Sequence, residues 1–309
     1  VTHRVKKLLV DLASDPVDVA DRIRVKLLLA RLRLVNRVSR RPVTGRGLAA
    51  VNLTSFGHRI DSVYYAVESI AAGAVKPRRL ILWLDDEKTL AQLPAQLVRL
   101  QARGLEILPC PDYGPHKKQY PYALTEAQLP LVAADDDVLY PRVWLAELLS
   151  AAARHPGDVC GQRAHTIVFE GDAVAPYSRW ARASSTESSF RRLCTGVSGI
   201  YYPLALLNAL RLEGEAFQQS APRADDLWVH AVAVRHGIRA RQVGQHQAEY
   251  PAIPGTQRGT LYRQNVADGG NDTQWAASVG LAEIARMRRD DPQDFGPLPG
   301  VGTVAVDGG

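Results

Sequence analysis

The stretch from Leu129 to Leu145, Leu-Pro-Leu-Val-Ala-Ala-Asp-Asp-Asp-Val-Leu-Tyr-Pro-Arg-Val-Trp-Leu, constrains the fold more than any other. Residues 131–134 are apolar and run straight into Asp135, Asp136 and Asp137, which is how a buried parallel strand ends when it delivers charge to a cleft. Pro141 and the spacing of Trp144, Leu145 and Leu148 start a helix at once, so the acids sit on a strand-to-helix turn. In an open α/β sheet that turn lies at the carboxyl edge, where ligands bind. Three adjacent carboxylates repel one another and persist only beside a cation or in abundant solvent. Hard oxygen donors suit Mg²⁺ or Mn²⁺, and such an ion suits a phosphate-bearing substrate; a solvated acidic loop is the plain alternative.

The preceding chain predicts the rest of such a sheet. Residues 48–53 read as a first strand, 61–72 as a helix, 80–84 as a second strand ending in Asp85 and Asp86, 94–103 as a helix and 105–108 as a third strand. That β-α-β-α-β order begins a doubly wound sheet. Neither a Gly-x-Gly-x-x-Gly turn nor a Gly-x-x-x-x-Gly-Lys-Ser/Thr loop is present, so phosphate would be held by metal and side chains. Gly114-Pro115 makes a turn, and Lys117 and Lys118 beside it can oppose a pyrophosphate or simply stay solvated.

Beyond the triplet, residues 159–169 read as one strand, 184–189 as a polar lid or acceptor loop, and 194–203 as a Gly-rich turn entering an aromatic strand. Asp225 and Asp226 open a helix. Capping accounts for one of them, and the second can reach the cleft of Asp137. Residues 238–243 read as a last strand, with His246 just past it. A closing amphipathic helix runs to about residue 289, before a Pro- and Gly-rich tail from 290 to 309 that is expected to fray.

Charge is unevenly placed. Residues 1–50 hold 12 Lys and Arg against 4 Asp and Glu, whereas the remainder holds 26 against 28. The body is near neutral, which argues against nucleic acid, and only an N-terminal arm, residues 1–45, is basic. Within the arm Ile23, Leu27, Ala30, Leu34 and Val38 form one stripe, expected to pack on the body or on a second subunit in a homodimer, or to lie peripherally on an anionic membrane. No apolar run is long enough to span a bilayer and no signal-peptide core is evident, so cytoplasmic residence is the expectation. Cys110, Cys160 and Cys194 are odd in number and far apart, as for reduced thiols.

Taken in order, several motifs resemble those of nucleotide-sugar-dependent glycosyltransferases of the GT-A fold, similar to the family-2-like bacterial enzymes that build polysaccharides. They are residues 51–56 with Arg59; Leu82-Trp83-Leu84 with Asp85; Gly114-Pro115 with Lys118; Asp135 to Pro141; Gly196-Val197-Ser198-Gly199 with Tyr202-Pro203; Ala224 to Trp228; and Gly270-Asn271-Asp272. The resemblance spans roughly residues 48–280 and implies an α/β fold, Rossmann-like, with a mostly parallel sheet flanked by helices and one catalytic domain over residues 46–289.

By that resemblance Thr54, Ser55, Arg59 and Asp85 border the nucleoside, Lys118 the base or diphosphate, and Asp135 the ribose, with Asp136 beside it. Asp137 binds Mg²⁺ or Mn²⁺, with His246 as a further ligand, and Asp225 or Asp226 serves as base or holds the acceptor. The implied donor is a UDP- or GDP-sugar carrying a hexose such as mannose or glucose, and the acceptor a saccharide or glycolipid. The chain departs from the common Glu-Asp pair of inverting relatives, having Asp225-Asp226 there. A metal-dependent phosphohydrolase and a non-catalytic nucleotide- or carbohydrate-binding protein are the competing readings.

Overall fold

The computed structural model describes residues 16–125, 127–256 and 269–290. In chain order the elements are α1 (Pro16–Val38), β1 (Ala50–Thr54), α2 (Val63–Ala71), β2 (Arg79–Leu84), α3 (Glu87–Ala91), α4 (Ala95–Gln101), β3 (Leu105–Pro109), α5 (Tyr120–Leu124), β4 (Leu131–Ala133) and α6 (Trp144–Arg154). There follow β5 (Val159–Gly161), β6 (Ala164–Thr166), β7 (Phe169–Glu170), β8 (Ala173–Val174), β9 (Ala181–Arg182), β10 (Arg192–Cys194) and β11 (Ile200–Tyr202). The chain continues through α7 (Leu204–Glu213), α8 (Phe217–Ser220), α9 (Asp225–Arg235), β12 (Ala240–Gln242), α10 (Gly270–Ser278) and α11 (Leu281–Arg289). The expected Pro- and Gly-rich tail after residue 290 lies outside the described residues.

Seven strands form the main sheet in the order β12-β5-β11-β4-β1-β2-β3. β1 pairs in parallel with both β2 and β4, β2 with β3 and β5 with β12, while β11 alone runs antiparallel to its neighbours β4 and β5. The expected mostly parallel α/β sheet is therefore present. The chain winds outward from β1 through β2 to β3, then returns to place β4 on the other side of β1. That reversal opens a crevice at the carboxyl ends of β1 and β4, the topological switch point.

The two-residue period of a strand divides the core into two layers. Ala50, Ile81, Trp83, Leu131 and Ala133 face a layer built with α5, α7 and α9. Val51, Leu53, Leu80, Leu82, Val132 and Ala134 face the opposite layer, with α2, α4 and α6. Covered on both faces, β1, β2 and β4 are mainly apolar, with Asn52 of β1 the buried polar exception, and the carboxylates of Asp85, Asp86 and residues 135–137 come only after β2 and β4 end.

Three expectations are corrected. The apolar stripe of α1 does not face the body: Val25, Leu28, Leu29 and Leu32 pack inward, whereas Ile23, Leu27, Leu34 and Val38 are exposed. α1 carries two apolar faces, and sequence period alone could not choose between them. The buried Asn36 fixes the choice by donating to Glu68 of α2 at 3.0 Å and accepting from Arg99 of α4 at 3.0 Å. Residues 159–169 are not one strand either. β5 stays in the main sheet while β6 joins β10 and β9 in a three-stranded antiparallel sheet. Residues 184–189, expected as a lid or acceptor loop, are no free lid: Ser189 exchanges backbone hydrogen bonds with Ala240 of β12 and the Thr186 carbonyl accepts from Arg241, while the acceptor-loop reading stays open.

The turn before β11 is closely packed and has a left-handed backbone. Ser198 and Gly199 both have positive φ, 76° and 100°. The indole of the buried Trp144 lies against them, donating to the Ser198 carbonyl at 2.7 Å. A Cβ at Gly199 would come within 2.7 Å of that ring. Gly199→Ala is expected to destabilise the protein by about 2–5 kcal/mol, combining the left-handed backbone penalty with overpacking, measured by urea unfolding.

Candidate active site

The site is built by chain ends that stop at one edge of the sheet. β1 ends at Thr54 and Ser55, β2 at Asp85 and Asp86, and β4 at Asp135, Asp136 and Asp137. The helical turn Gly114–Lys118 crosses below, anchored by His116. That ring is buried, stacks on Phe217 at 4.1 Å and hydrogen-bonds the Ala221 carbonyl at 2.8 Å. Burial lowers its pKa, so it is neutral.

The anchored turn sends its two lysines apart. Lys117 donates to Asp85 at 2.6 Å and to Asp112 at 3.3 Å, and Lys118 pairs with Asp135. Burial pushes the Lys118 ammonium down, but Asp135, Asp225 and Asp226 together outweigh it and hold the pKa above its ordinary value. Lys118 is thus a fixed positive charge facing carboxylates from two elements.

Arg59 serves the other two members of the triplet. It donates to Asp136 at 2.9 Å, pairs with Asp137 at 3.2 Å and bonds the Thr256 carbonyl at 3.1 Å. Asp136 also accepts from Ser55 at 2.5 Å. Burial still leaves the Asp136 carboxyl raised in pKa, despite Ser55 and Arg59. The middle acid is therefore buried and structural, tying the end of β1 to that of β4. The segment 251–256 passes over the same turn, with Ile253 donating to the Asp137 carbonyl at 2.7 Å and Leu139 to that of Pro251 at 2.9 Å. Sequence reading missed this strap; its Pro251, Pro254 and Gly255 signal only irregular chain.

Asp225 and Asp226 occupy the first turn of α9. Asp226 Oδ2 accepts from the Gly196 backbone at 2.9 Å. A Cβ at Gly196 would lie 3.3 Å from Asp226 Oδ1 and 3.4 Å from Lys118 Nζ, so the absent side chain lets both groups approach. Burial raises the pKa of Asp226, Asp225 raises it further, and Lys118 and the Gly196 N–H oppose the rise without cancelling it. The cavity against Asp226, of about 10 Å³ between α9 and the sheet, is too small for a substrate.

The sequence-predicted residues thus separate. Ser55, Arg59, Asp136 and Asp137 form one connected set; Lys118 and Asp135 are paired, with Asp226 close by across Gly196. Asp85 is held by Lys117 off to one side, and Asp86 caps α3. The Thr54 hydroxyl is turned into the sheet, donating to the Trp83 carbonyl at 3.1 Å, rather than toward the crevice. His246 is exposed on the bend after β12. Tyr140, which sequence reading did not single out, accepts the Asp135 N–H at 2.7 Å and fixes the turn. Cys110, Cys160 and Cys194 are free thiols, and burial raises the thiol pKa of Cys110 to about 11 and of Cys160 to about 12.

Among the described residues no group of three or more His, Cys, Asp or Glu is arranged to cage a metal. The donors present still fit a hard divalent ion of the kind held by one or two carboxylates, with substrate phosphate oxygens and water completing the shell. Asp137 is the suited ligand. Burial and Asp135 raise its pKa to about 6 although Arg59 opposes them, so its negative charge is under-compensated.

A carboxyl raised from 3.8 to about 6 contributes stability that is fully present below 3.8 and lost as pH rises through 6. Asp137→Asn is therefore expected to make the metal-free protein more stable at neutral pH by up to about 3 kcal/mol, with the difference vanishing in acid below the ordinary carboxylate range. Urea unfolding at neutral and acid pH checks this.

No family model matches the sequence, and no curated protein matches it. Solved structures do. TarS 1-349 of S. aureus is 16% identical, over 66% of this chain and 60% of that one, with a TM-score of 0.44. The mannosyltransferase PcManGT from Pyrobaculum calidifontis, in complex with GDP-Man and Mn²⁺, is 15% identical over 85% of this chain and 79% of that one, at 0.48. GalNAc-T7 with UDP, GalNAc and Mn²⁺ is 11% identical over 73% and 48%, at 0.43. The chain thus spans about three fifths of the TarS structure and half of GalNAc-T7. At such identities and TM-scores the likeness assigns no residue a role.

Proposed function

We propose that the chain is a glycosyltransferase that moves a hexose from a UDP- or GDP-sugar to a hydroxyl of a saccharide or glycolipid in polysaccharide assembly, using Mg²⁺ or Mn²⁺. The observation that carries this reading is the meeting at one switch point of Asp137, the Lys118–Asp135 pair and the Asp226 carboxylate. The GT-A resemblance of the sequence supports it.

Cleaving a sugar–phosphate bond leaves a nucleoside diphosphate, and its growing negative charge is stabilised most in the transition state. Lys118 supplies a preorganised positive charge for it. A divalent ion on Asp137, with Asp135 alongside, would add Lewis-acid stabilisation of the same oxygens. Arg59 and Ser55 keep the acidic turn in place through Asp136. An acceptor hydroxyl has a high pKa and needs a base aligned behind the anomeric carbon. Asp226 takes that role, with its pKa raised toward the operating range, while Asp225 orients the acceptor; the product would then be of inverted configuration.

The deciding measurement is a thermal-shift comparison of UDP, GDP and their sugars, each with Mn²⁺ and with EDTA, on wild type and Asp137→Ala. One nucleotide is expected to stabilise the wild type only with metal, and neither the variant. Absence of a metal-dependent shift with every nucleotide would overturn the proposal. A shift without any sugar transfer or donor hydrolysis would favour a binding protein, and release of inorganic phosphate a phosphohydrolase.

A further inference from the structure

We infer that the outward face of α1 docks on an anionic lipid bilayer. α1 is fixed to the body by one face, through Leu32 and the Asn36 network. On the opposite face Ile23, Leu27, Leu34 and Val38 are 52%, 66%, 60% and 66% exposed. At 100° per residue these four, with Ala30, fall within an arc of about 80° and form one ridge about four turns long. An apolar ridge so aligned on a helix already anchored on its other side needs no further burial for folding. It marks an interaction surface.

The chemistry around the ridge names the occupant. Lys26, Arg33 and Arg37 line one flank and Arg24 and Arg31 the other. Residues 22–41 hold 8 Lys and Arg and no Asp or Glu. The nearby Asp21 pairs with Arg24 at 3.2 Å, and Arg33 is steadied by the Tyr65 hydroxyl at 2.9 Å. Apolar side chains between two basic rows suit the boundary between acyl chains and negative headgroups. A second copy of the same ridge would set basic rows against basic rows, and a nucleic acid would leave the leucines in water. Among the described residues no helix is long and apolar enough to cross a membrane. The contact is therefore peripheral, and it does not depend on the proposed activity.

The test is co-sedimentation of the full chain with vesicles of phosphatidylcholine alone and of phosphatidylcholine mixed with phosphatidylglycerol. The bound fraction is expected to be at least about tenfold higher on the anionic vesicles and to fall with added salt. Leu27→Asn with Leu34→Asn should reduce it to the neutral-vesicle level with an unchanged thermal midpoint, because both side chains are already exposed. Lys26→Gln with Arg31→Gln and Arg37→Gln, which leaves the ridge intact, should lower it as well. Equal binding to both vesicles, binding to neither, or wild-type binding by either variant would overturn the inference. So would a concentration-dependent dimer in light scattering that the leucine substitutions abolish, since the ridge would then belong to a second copy.

Discussion

Asp226→Asn is expected to lower kcat by about 10²–10⁴-fold while changing nucleotide affinity little, because a general base acts only as the acceptor proton leaves. The amide keeps the shape of the carboxylate and its acceptor oxygen for the Gly196 N–H, so folding is not the variable being tested. The pH profile separates a base from a merely structural acid. Burial and the adjacent Asp225 raise the Asp226 pKa above the ordinary carboxylate range. Activity requires the deprotonated form, so the wild-type rate should rise with pH through an inflection above that range, and the variant's residual rate should lack that limb. The two aspartates are neighbours, and the inflection belongs to the pair. Asp225→Asn should cost less in kcat and more in acceptor KM. The reverse pattern would move the base to Asp225, and near-wild-type rates in both variants would refute base catalysis by this helix.

Glu68→Ala should cost about 3–5 kcal/mol, the loss expected when one partner of a buried ion pair is removed. Its carboxylate is fully buried between α1, α2 and the end of α4, pairing with both terminal guanidinium nitrogens of Arg103 and accepting from Asn36. Removing it leaves a buried guanidinium without its counter-charge and loosens the inner face of α1. Among the described residues Arg103 would keep its bond to the Arg41 carbonyl, at 2.8 Å. Glu68→Leu combined with Arg103→Leu should recover much of the loss, because neither buried charge then remains to be compensated. Urea unfolding of the two variants measures both effects, and a single-variant loss below about 1 kcal/mol would show that solvent reaches the pair.

Within the acidic turn the three aspartates divide structural and proposed ligand-binding roles. Asp136 ties the ends of β1 and β4 together, while in the proposed function Asp137, with Asp135 alongside, holds the metal. Residue type could not separate these roles, since the three are identical and adjacent. Only the direction of each side chain does so: Asp136 turns back to Ser55 and Arg59, and Asp135 turns to Lys118. The same holds for the lysine pair, one holding Asp85 and the other facing the carboxylates.

The chain by itself determined the sheet. Strands covered on both faces are mainly apolar, so β1, β2 and β4 are legible as runs such as Leu80 to Leu84, and the acids that follow β2 and β4 mark the ligand edge. Local signals also placed α2, α6 and α9 to within a few residues. What the tertiary structure alone decided is everything that depends on long-range partners. Ile23, Leu27, Leu34 and Val38 have the period of a buried stripe and yet face out, because α1 has a second apolar face and Asn36 finds its partners on α2 and α4. Residues 159–169 read as one strand but divide between two sheets, because β10 pairs with β6 and β11 with β5. Thr54 stands at the right strand end but bonds Trp83, and residues 251–256 reach the acidic turn from more than a hundred residues away in sequence. Periodicity reports which residues avoid water; it carries no information about which neighbour excludes the water, and that choice belongs to the packed chain.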